Sequence, residues 1–503
     1  MKFPCLQLGL LVASSLLARA AVTLPAILSD HAVLQQSSRV PIWGAADPGE
    51  EITVEFAGQS HTTIAGVDGK WQIALNPLKV GAPQTLTIRG KQTLTIQDVL
   101  VGEVWLGSGQ SNMAMTVARS KDFDTEKNHA NFPLIRQFKE DSAAANQAQT
   151  VGQGRWVLCS PETVGGFSAA LYFFGRELHQ ILQAPVGLIN SSVGGTPIES
   201  WIAPEVQRAS PALRPFFAAV QKENAAIASP EAVEQYTRNL AEWEAAQKTA
   251  RTQKQKAARK PVNPVEVAAR KGNLGGLYNG KISPLIPYAL RGALWYQGEA
   301  NSTLAKAPFY EPQLALLVRD WRSRWGYDFP FAWVQLPNFT GAGRDWPMVR
   351  EAMLKNLALP QTGMAITIDV GEANDIHPKN KQAVGHRLAL WALGTVYGQK
   401  VAATSGPLPA GHTIRGQEII LSFRHTDGGL AVGGDALTGF VVAGDDHQWK
   451  PAQARLDGNT VVVSSPLVPK PLAARYAWEN FPSCNLFNGA GLPASPFRTD
   501  DWP

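Results

Sequence analysis

The chain has 503 residues, of which 45% are hydrophobic and 17% charged, and its formal net charge is +5. This composition excludes a disordered chain, and domains of ~100–200 residues predict about three domains, each able to bury a core without disulfides or metals. The small charge, with no Lys/Arg-rich stripe, argues against a nucleic-acid-binding protein. The 15 tryptophans fit either core packing or flat surfaces for sugar rings.

Residues 1–20 predict a secretory signal peptide. Lys2 gives a positive start, Leu8 to Leu17 form an apolar run, and Ala18-Arg19-Ala20 is an A-x-A cleavage site. The run is too short for a bilayer of ~30 Å, and no later segment is long and apolar enough, so we expect no membrane insertion. We therefore expect a secreted protein, periplasmic or extracellular, after cleavage near Ala20.

Residues 21–100 predict an N-terminal β-sandwich-like domain. Apolar residues alternate with polar ones in several runs, and Asp68-Gly69 marks a tight turn between two of them. The alternating apolar residues are Ile52, Val54 and Phe56, then Trp71, Ile73 and Leu75, then Leu86, Ile88, Leu94 and Ile96. Because each strand has one apolar face to bury, two packed sheets are expected.

Residues 101–404 predict a catalytic α/β domain with a parallel sheet covered on both faces, since short apolar runs alternate with helix-length segments. The predicted strands are Val104–Leu106, Val186–Ile189, Ala293–Tyr296, Phe331–Gln335 and Ala365–Val370, and the predicted helices are Ser168–Leu182, Tyr310–Trp325, Pro347–Leu359 and Lys379–Tyr397. Residues 205–270 interrupt this alternation as a helical insertion with a solvated basic face, and its role, including partner binding, stays open. Such sheets bind ligands beyond the carboxyl ends of their strands, so catalytic residues are expected in the loops there.

Residues 405–503 predict a C-terminal β-rich domain. Apolar runs at Ile419–Phe423, Gly439–Ala443 and Val461–Ser464 are separated by Gly, Asp and Asn turns. Once the leader is removed, Cys159 and Cys484 remain, either as a disulfide or as two separate thiols.

The first candidate catalytic residue is Ser111, in the segment Gly107 to Met113 that follows the strand Val104–Leu106. A serine on a glycine-rich turn at the end of a strand exposes its hydroxyl, and a following helix would bring backbone N–H donors beside it. The motif is not the nucleophile elbow of the α/β-hydrolases, because Met113 stands where that elbow needs glycine. A Gly/Ser-rich connection without a catalytic role is the structural alternative.

His377 is the candidate base among the 9 histidines. Pro378 disfavours the helical conformation for His377, so its ring projects from an extended loop. Asp375 lies two residues earlier, on the same face of an extended chain, where its carboxylate can orient the imidazole and stabilise its protonated form. An Asx-turn that caps the next helix is the alternative role of Asp375.

Two further loops offer donors for an oxyanion. Residues 191–196 supply flexible backbone amides, and Gln297 and Asn301 supply carboxamides after the strand Ala293–Tyr296. Each loop alone is compatible with a plain turn, but four loops of one sheet together predict a hydrolytic serine site. The sequence contains no H-E-x-x-H, C-x-x-C, Walker or G-x-G-x-x-G motif after a strand, so no cofactor and no metal is expected.

Taken together, these motifs resemble those of the sialate O-acetylesterase family, a branch of the SGNH (GDSL-like) hydrolases. The matching segments run through nearly all of the mature chain: Leu28 to Gln35, Gly102 to Leu106, Gly109 to Met113, Gly194 to Glu199, Trp295 to Glu299 with Asn301, Asp375 to Pro378 with Lys381, Arg475 to Trp478, Asn485 to Asn488, Gly491 to Pro493 and Pro496 to Asp500. Two departures stand out. The chain has D-x-H-P instead of the superfamily's D-x-x-H, and Ala114 replaces the acidic residue that many members carry after Ser-Asn-Met.

The resemblance implies a flavodoxin-like α/β/α SGNH-hydrolase core with β-rich, sandwich-like domains at both ends. It implies Ser111 as nucleophile, His377 as base and then acid, and Asp375 as its orienting partner. It also implies an oxyanion hole formed by the Ser111 and Gly195 amides with a carboxamide, Gln297 being favoured over Asn301.

The expected activity is therefore removal of O-acetyl groups from carbohydrate through an acetyl-enzyme intermediate, with an O-acetylated carbohydrate as the partner. Three alternatives are an acetylesterase for xylan, xyloglucan or another plant polysaccharide, a non-catalytic carbohydrate-binding protein, and a general lipase. The lipase is disfavoured because no long apolar lid segment appears in the sequence.

Overall fold

The chain forms a mixed α/β structure with several sheets, seen here in a computed structural model. Residues 22–252, 259–272, 274–341 and 345–502 are described. The predicted signal peptide and residues 253–258 of the polar run in the insertion lie outside these ranges.

The strands of the N-terminal and central regions are β1 Val33–Gln35, β2 Val40–Ala45, β3 Glu51–Phe56, β4 Gln59–Ile64, β5 Lys70–Leu75, β6 Gln84–Arg89, β7 Thr93–Gly109, β8 Phe132–Glu140, β9 Gly154–Cys159, β10 Val186–Ser192, β11 Gly292–Tyr296, β12 Phe331–Val334 and β13 Thr362–Ala365. The C-terminal strands are β14 Leu408–Arg415, β15 Glu418–Arg424, β16 Leu430–Val432, β17 Phe440–Ala443, β18 Lys450–Pro451, β19 Gln453–Asp457, β20 Thr460–Ser464, β21 Ala473–Tyr476, β22 Leu486–Asn488 and β23 Phe497–Arg498. All three predicted C-terminal runs are strands.

The α-helices are α1 Ser111–Ala114, α2 Phe123–Asn128, α3 Ala169–Leu182, α4 Pro204–Ala209, α5 Arg214–Ile227, α6 Pro230–Thr252, α7 Pro264–Gly272, α8 Tyr310–Trp325, α9 Trp346–Lys355 and α10 Lys381–Trp391. Short 3₁₀ turns and two π-helical turns, Tyr278–Ile282 and Ala392–Val396, complete the helical structure of the described ranges. Most described side chains of α6 are exposed, as expected for a solvated helix.

β7 is the central strand of the molecule. Its first half pairs antiparallel with β6, and its second half pairs parallel with β1, β10 and β11. Burial follows the same division, since the exposed-buried alternation at Thr93 gives way to continuous burial from Val99 onward. Continuous burial of this kind is expected for a strand that is covered on both faces.

The central sheet has the order β13-β12-β11-β7-β10-β8-β9. Its pairs are parallel except for β8 with β9 at one edge. Neighbouring residues of β7 point to opposite faces: Trp105 packs in a core with α3 and α10, and Leu106 packs in a core with α8 and α9. The sheet therefore lies between two helical layers.

Trp105 and Trp295 belong to these cores. Both side chains are fully buried, and their indole N–H groups donate to Tyr397 and Tyr310. Core packing therefore explains these two tryptophans, and neither offers a surface to a sugar.

The last predicted strand of the sheet was placed wrongly. Ala365–Val370 was expected, whereas β13 covers Thr362–Ala365 and the chain after Ala365 is irregular. The reason is that β12 ends at Val334, so the next residues have no partner strand, and Thr367 instead donates its hydroxyl to the Gln335 carbonyl.

Cys159 and Cys484, for which the sequence allowed either a disulfide or two thiols, are separate free thiols. Among the described residues, no helix is long and apolar enough to cross a membrane.

Candidate active site

Ser111 lies directly beyond the carboxyl end of β7, as the first residue of α1. The turn before it requires Gly109, which has φ +134° and packs so closely on β11 that a Cβ there would lie 2.2 Å from the Tyr296 carbonyl oxygen. This close approach fixes the end of β7 against β11. Ser111 itself is half-buried, so its hydroxyl can be reached from solvent.

His377 meets Ser111 across the carboxyl edge of the sheet. Its Nε2 lies 2.8 Å from Ser111 Oγ, although the two residues are 266 positions apart in the chain. This distance is within the range that proton transfer between a nucleophile and a base requires. Burial lowers the pKa of His377, and the positive charges of Lys381 and Arg119 lower it further, whereas Asp375 raises it.

Asp375 contacts His377 in two ways. Its Oδ1 accepts a hydrogen bond of 2.9 Å from the His377 backbone N–H and lies 3.5 Å from His377 Nδ1. Its Oδ2 pairs with Lys379 Nζ at 3.1 Å. The backbone hydrogen bond and Lys379 hold the pKa of Asp375 below its usual value. The carboxylate therefore faces the imidazole as an anion, at the long end of hydrogen-bonding distance.

The loop that follows β10 brings Gly194 and Gly195 beside the nucleophile. A Cβ on Gly194 would lie 3.4 Å from Ser111 Cβ, and Gly195 has φ +73°, in the left-handed region that favours glycine. Within the described ranges, the backbone N–H groups of Ser111 and Gly195 donate to no protein acceptor. Two unused donors next to a serine hydroxyl can stabilise an oxyanion.

Gln297 and Asn301 lie behind this loop, and both are fully buried. Gln297 Nε2 donates to Asn301 Oδ1 at 2.7 Å and to Gln110 Oε1 and the Thr196 carbonyl at 3.2 Å each. Asn301 Oδ1 also accepts from the Ile198 N–H, and its Nδ2 donates to Glu199. The two carboxamides thus hold the Gly195 loop, and a direct donation from either one to an oxyanion stays a prediction.

A second buried network was missed by reasoning from sequence. Asn112, Glu299 and Lys381 are almost completely buried next to Ser111 and His377, and Asn112 is hydrogen-bonded to both of the others. All three lie in the motifs that carry the family resemblance, which was the only sequence signal for them. Within the described residues, no group of three or more His, Cys, Asp or Glu side chains could hold a metal ion.

The site therefore combines a half-buried serine that is hydrogen-bonded to an imidazole, a carboxylate behind the imidazole, and the unused amides of Ser111 and Gly195. The sheet brings Ser111, His377, Asp375 and Gly195 together at one edge, and it places Gln297 and Asn301 one layer behind them.

Comparison with known proteins gives a consistent result. Residues 101–256 and 277–393, more than half of the chain, match the family model described as carbohydrate esterase, sialic acid-specific acetylesterase. The sialate O-acetylesterases of Rattus norvegicus and Homo sapiens are each 28% identical; the alignments cover 93% and 94% of this chain and 93% and 91% of theirs.

A solved structure is similar over nearly the whole molecule. It is a carbohydrate acetylesterase from Xanthomonas citri with 36% sequence identity and a TM-score of 0.81, and the match covers 96% of this chain and 100% of that one. On these grounds the chain belongs to the carbohydrate esterase family of sialic acid-specific acetylesterases.

Proposed function

We propose that the protein is a serine esterase that removes acetyl groups from the hydroxyls of carbohydrates through an acetyl-enzyme intermediate. The observation that carries the proposal is the 2.8 Å contact between Ser111 Oγ and His377 Nε2 beside the unused amides of Ser111 and Gly195. Family membership supports the acetylated carbohydrate as substrate.

In the first half of the reaction, Ser111 Oγ attacks the acetyl carbonyl carbon while its proton moves to His377 Nε2. The Ser111 and Gly195 amides hold the oxyanion that forms. The bond to the sugar oxygen then breaks, and the imidazolium returns the proton to that oxygen. Asp375 keeps the second imidazole proton on Nδ1 and stabilises the imidazolium.

In the second half, a water molecule attacks the acetyl-serine carbonyl carbon and gives its proton to His377. The Ser111 oxygen leaves with that proton, and acetate is released. No step needs an electron acceptor, because the reaction is a hydrolysis.

Three finer parts of the proposal concern architecture, location and substrate. The parallel order of the central sheet and its two helical layers support a flavodoxin-like SGNH-hydrolase core. The apolar run and the A-x-A site before Ala21 support secretion. The names of the rat and human relatives support O-acetylated sialic acid as the first substrate to test.

The deciding variant is Ser111→Ala. Acetate release should fall at least ~10⁴-fold, because the reaction loses its nucleophile, while the circular dichroism spectrum and melting temperature stay those of the wild type. Turnover of acetylated sialic acid, acetyl-xylan, acetyl-xyloglucan and a lipid ester should be compared by acetate or fatty-acid release. Wild-type turnover in Ser111→Ala, or preference for the lipid ester, would overturn the proposal.

A further inference from the structure

Lys381, Asn112 and Glu299 form a buried hydrogen-bonded chain next to Ser111 and His377. Lys381 Nζ donates to Asn112 Oδ1 at 2.6 Å, and Asn112 Nδ2 donates to Glu299 Oε1 at 2.5 Å. The same Nδ2 donates to the Ile376 carbonyl oxygen at 3.0 Å. The three residues are at most 2% exposed. The Asn112 amide therefore connects the Lys381 amino group to the Glu299 carboxyl group in a volume closed to water, where burial raises the pKa of Glu299.

These contacts allow only one orientation of the Asn112 amide. When Lys381 is protonated, the amide oxygen faces a group that can only donate, and the amide nitrogen faces two oxygens that accept. Turning the amide over would set NH₂ against the Lys381 ammonium and oxygen against both the Glu299 carboxylate and the Ile376 carbonyl. All three contacts would then be repulsive, at a site where burial strengthens electrostatic forces.

Because Asn112 is next to the nucleophile in the chain, the orientation of its amide links the segment of Ser111 to the segment of His377. Asn112 follows Ser111, and Ile376 precedes His377, so one side-chain hydrogen bond ties the backbone of the base to the helix that carries the nucleophile. Glu299 comes from the loop after β11, and Lys381 comes from the first turn of α10. Three segments distant in sequence are thus held by a single amide.

We propose that Asn112 is a positioning residue that keeps Ser111 Oγ and His377 Nε2 in hydrogen-bonding contact, and that Lys381 and Glu299 fix its orientation. The inference rests on the proposed function for the reaction that the contact serves. It adds that the bond between Ser111 and His377 depends on the buried chain of Lys381, Asn112 and Glu299, which itself touches no substrate.

Lys381 also acts on the charge of the base. The charged groups that face His377 are Asp375 from its own loop, Lys381 from α10 and Arg119 from the turn after α1. Burial lowers the pKa of Lys381 to about 7, although Glu299 opposes this. Since the Lys381 ammonium disfavours a second positive charge nearby, its loss should raise the pKa of His377.

The test uses Asn112→Ala, Lys381→Met and Glu299→Gln, together with the double variant of Lys381 and Glu299. Lys281→Met is the matched control, because Lys281 is also buried but donates to the Glu140 and Ser142 carbonyls. Two rates are measured well below each melting temperature. They are acetate release from an acetylated sugar and covalent labelling of Ser111 by a fluorophosphonate, which needs an activated serine but no acetyl group.

In Asn112→Ala, kcat and the labelling rate should fall ~100-fold, as for a displacement of about 1 Å between reacting groups, with KM changed less than about 3-fold because the residue touches no substrate. In Lys381→Met, the acid limb of kcat/KM should move to higher pH. The double variant should regain melting temperature relative to the single variants, since it leaves no unpaired buried charge. Its kcat should stay low, because Asn112 Oδ1 has lost its donor.

A wild-type kcat in Asn112→Ala overturns the positioning role, and an unmoved acid limb in Lys381→Met overturns the effect of Lys381 on the base. If Lys281→Met loses as much kcat as Lys381→Met, the specific role of Lys381 is also overturned, because removal of any buried lysine would then have the same effect. If the wild type labels at Ser111 but releases no acetate, the proposed function fails while the labelling rates still decide the role of Asn112. If the wild type neither labels nor releases acetate, both proposals fail.

Discussion

Electrostatic effects of opposite sign act on the pKa of His377. Burial and the charges of Lys381 and Arg119 lower its pKa, and Asp375 raises it without restoring the ordinary value. The net result is an imidazole that is neutral, and so able to accept a proton, at pH values below its usual pKa of about 6.5. The acid limb of kcat/KM in the wild type should accordingly have its midpoint below that pH.

Asp375→Asn tests the effect of the Asp375 carboxylate, which raises the pKa of His377. Loss of the carboxylate removes a cause that raises the pKa of His377, so the acid limb should move to lower pH. We expect kcat to fall about 10–100-fold, less than the ~10⁴ measured where a buried aspartate holds the histidine closely, because Asp375 is 3.5 Å from Nδ1 and its side chain is 41% exposed. A pH profile of kcat/KM measures both effects.

Glu372→Gln is the control for this variant. Glu372 also pairs with Lys379 but accepts no hydrogen bond from His377. A shift of the acid limb as large in Glu372→Gln as in Asp375→Asn would show that loss of any nearby carboxylate suffices.

At the scale of elements, α3 supports the short helix that carries the nucleophile. Ser168 is the N-cap of α3, accepting from the Leu171 N–H, and its hydroxyl donates to the Met113 carbonyl in α1 at 2.6 Å. One buried serine therefore caps a long helix and holds a helix of only four residues, which has little stability of its own.

Ser168→Ala should therefore lower the free energy of unfolding more than the loss of an ordinary N-cap does. We expect the free energy of unfolding to fall about 1–2 kcal/mol for the cap and about 1 kcal/mol more for the lost bond to Met113. Asn380→Ala is the comparison, since Asn380 caps α10 by accepting from Ala383 and gives α1 no hydrogen bond. Urea denaturation followed by tryptophan fluorescence measures both; an equal or larger loss in Asn380→Ala would contradict this account of Ser168.

At the scale of the whole molecule, Arg350 joins the C-terminal strands to the central region. It is fully buried, and its guanidinium donates to the carbonyls of Leu336, Pro337, Glu479 and Asn480. Burial lowers its pKa to about 9. The C-terminal strands also have a hydrophobic core of their own, and Leu354 and Cys484 pack against both this core and the central one.

Arg350→Met should lower the stability of the molecule by roughly 3–5 kcal/mol, because several buried carbonyls lose their donor together. Calorimetry should show a lower melting temperature for the unfolding of the C-terminal strands in particular. Arg415→Met, at an exposed arginine of β14, should leave the melting curve unchanged. Equal melting temperatures for Arg350→Met and the wild type would contradict the role of this junction.

Local signals explain which parts of this structure could be predicted. The helix Tyr310–Trp325 has the predicted bounds because Gly326, in the left-handed conformation, ends it. Pro378 and the neighbouring Asp375 sufficed to select His377. The end of β13 was missed because it depends on the length of β12, which no residue near Ala365 reveals.

The parts of the site that could not be predicted from the sequence are hydrogen bonds between polar groups that lie far apart in the chain. Asn112 meets Glu299 across 187 positions and Lys381 across 269, and no local pattern specifies such a pair. The same holds for Gln297 and Asn301, whose residue types suggested donors to an oxyanion but whose bonds to Thr196 and Ile198 depend on the folded loop.

The separation of Ser111 and His377 by 266 residues also has a consequence for synthesis of the chain. The nucleophile is made in the first quarter of translation, whereas the base follows only when about three quarters of the chain exist. Contacts this distant in sequence form late, because a long loop must close before they stabilise anything. A chain cut short anywhere before His377 therefore carries a serine without its base, and incomplete products of translation or proteolysis should have no esterase activity.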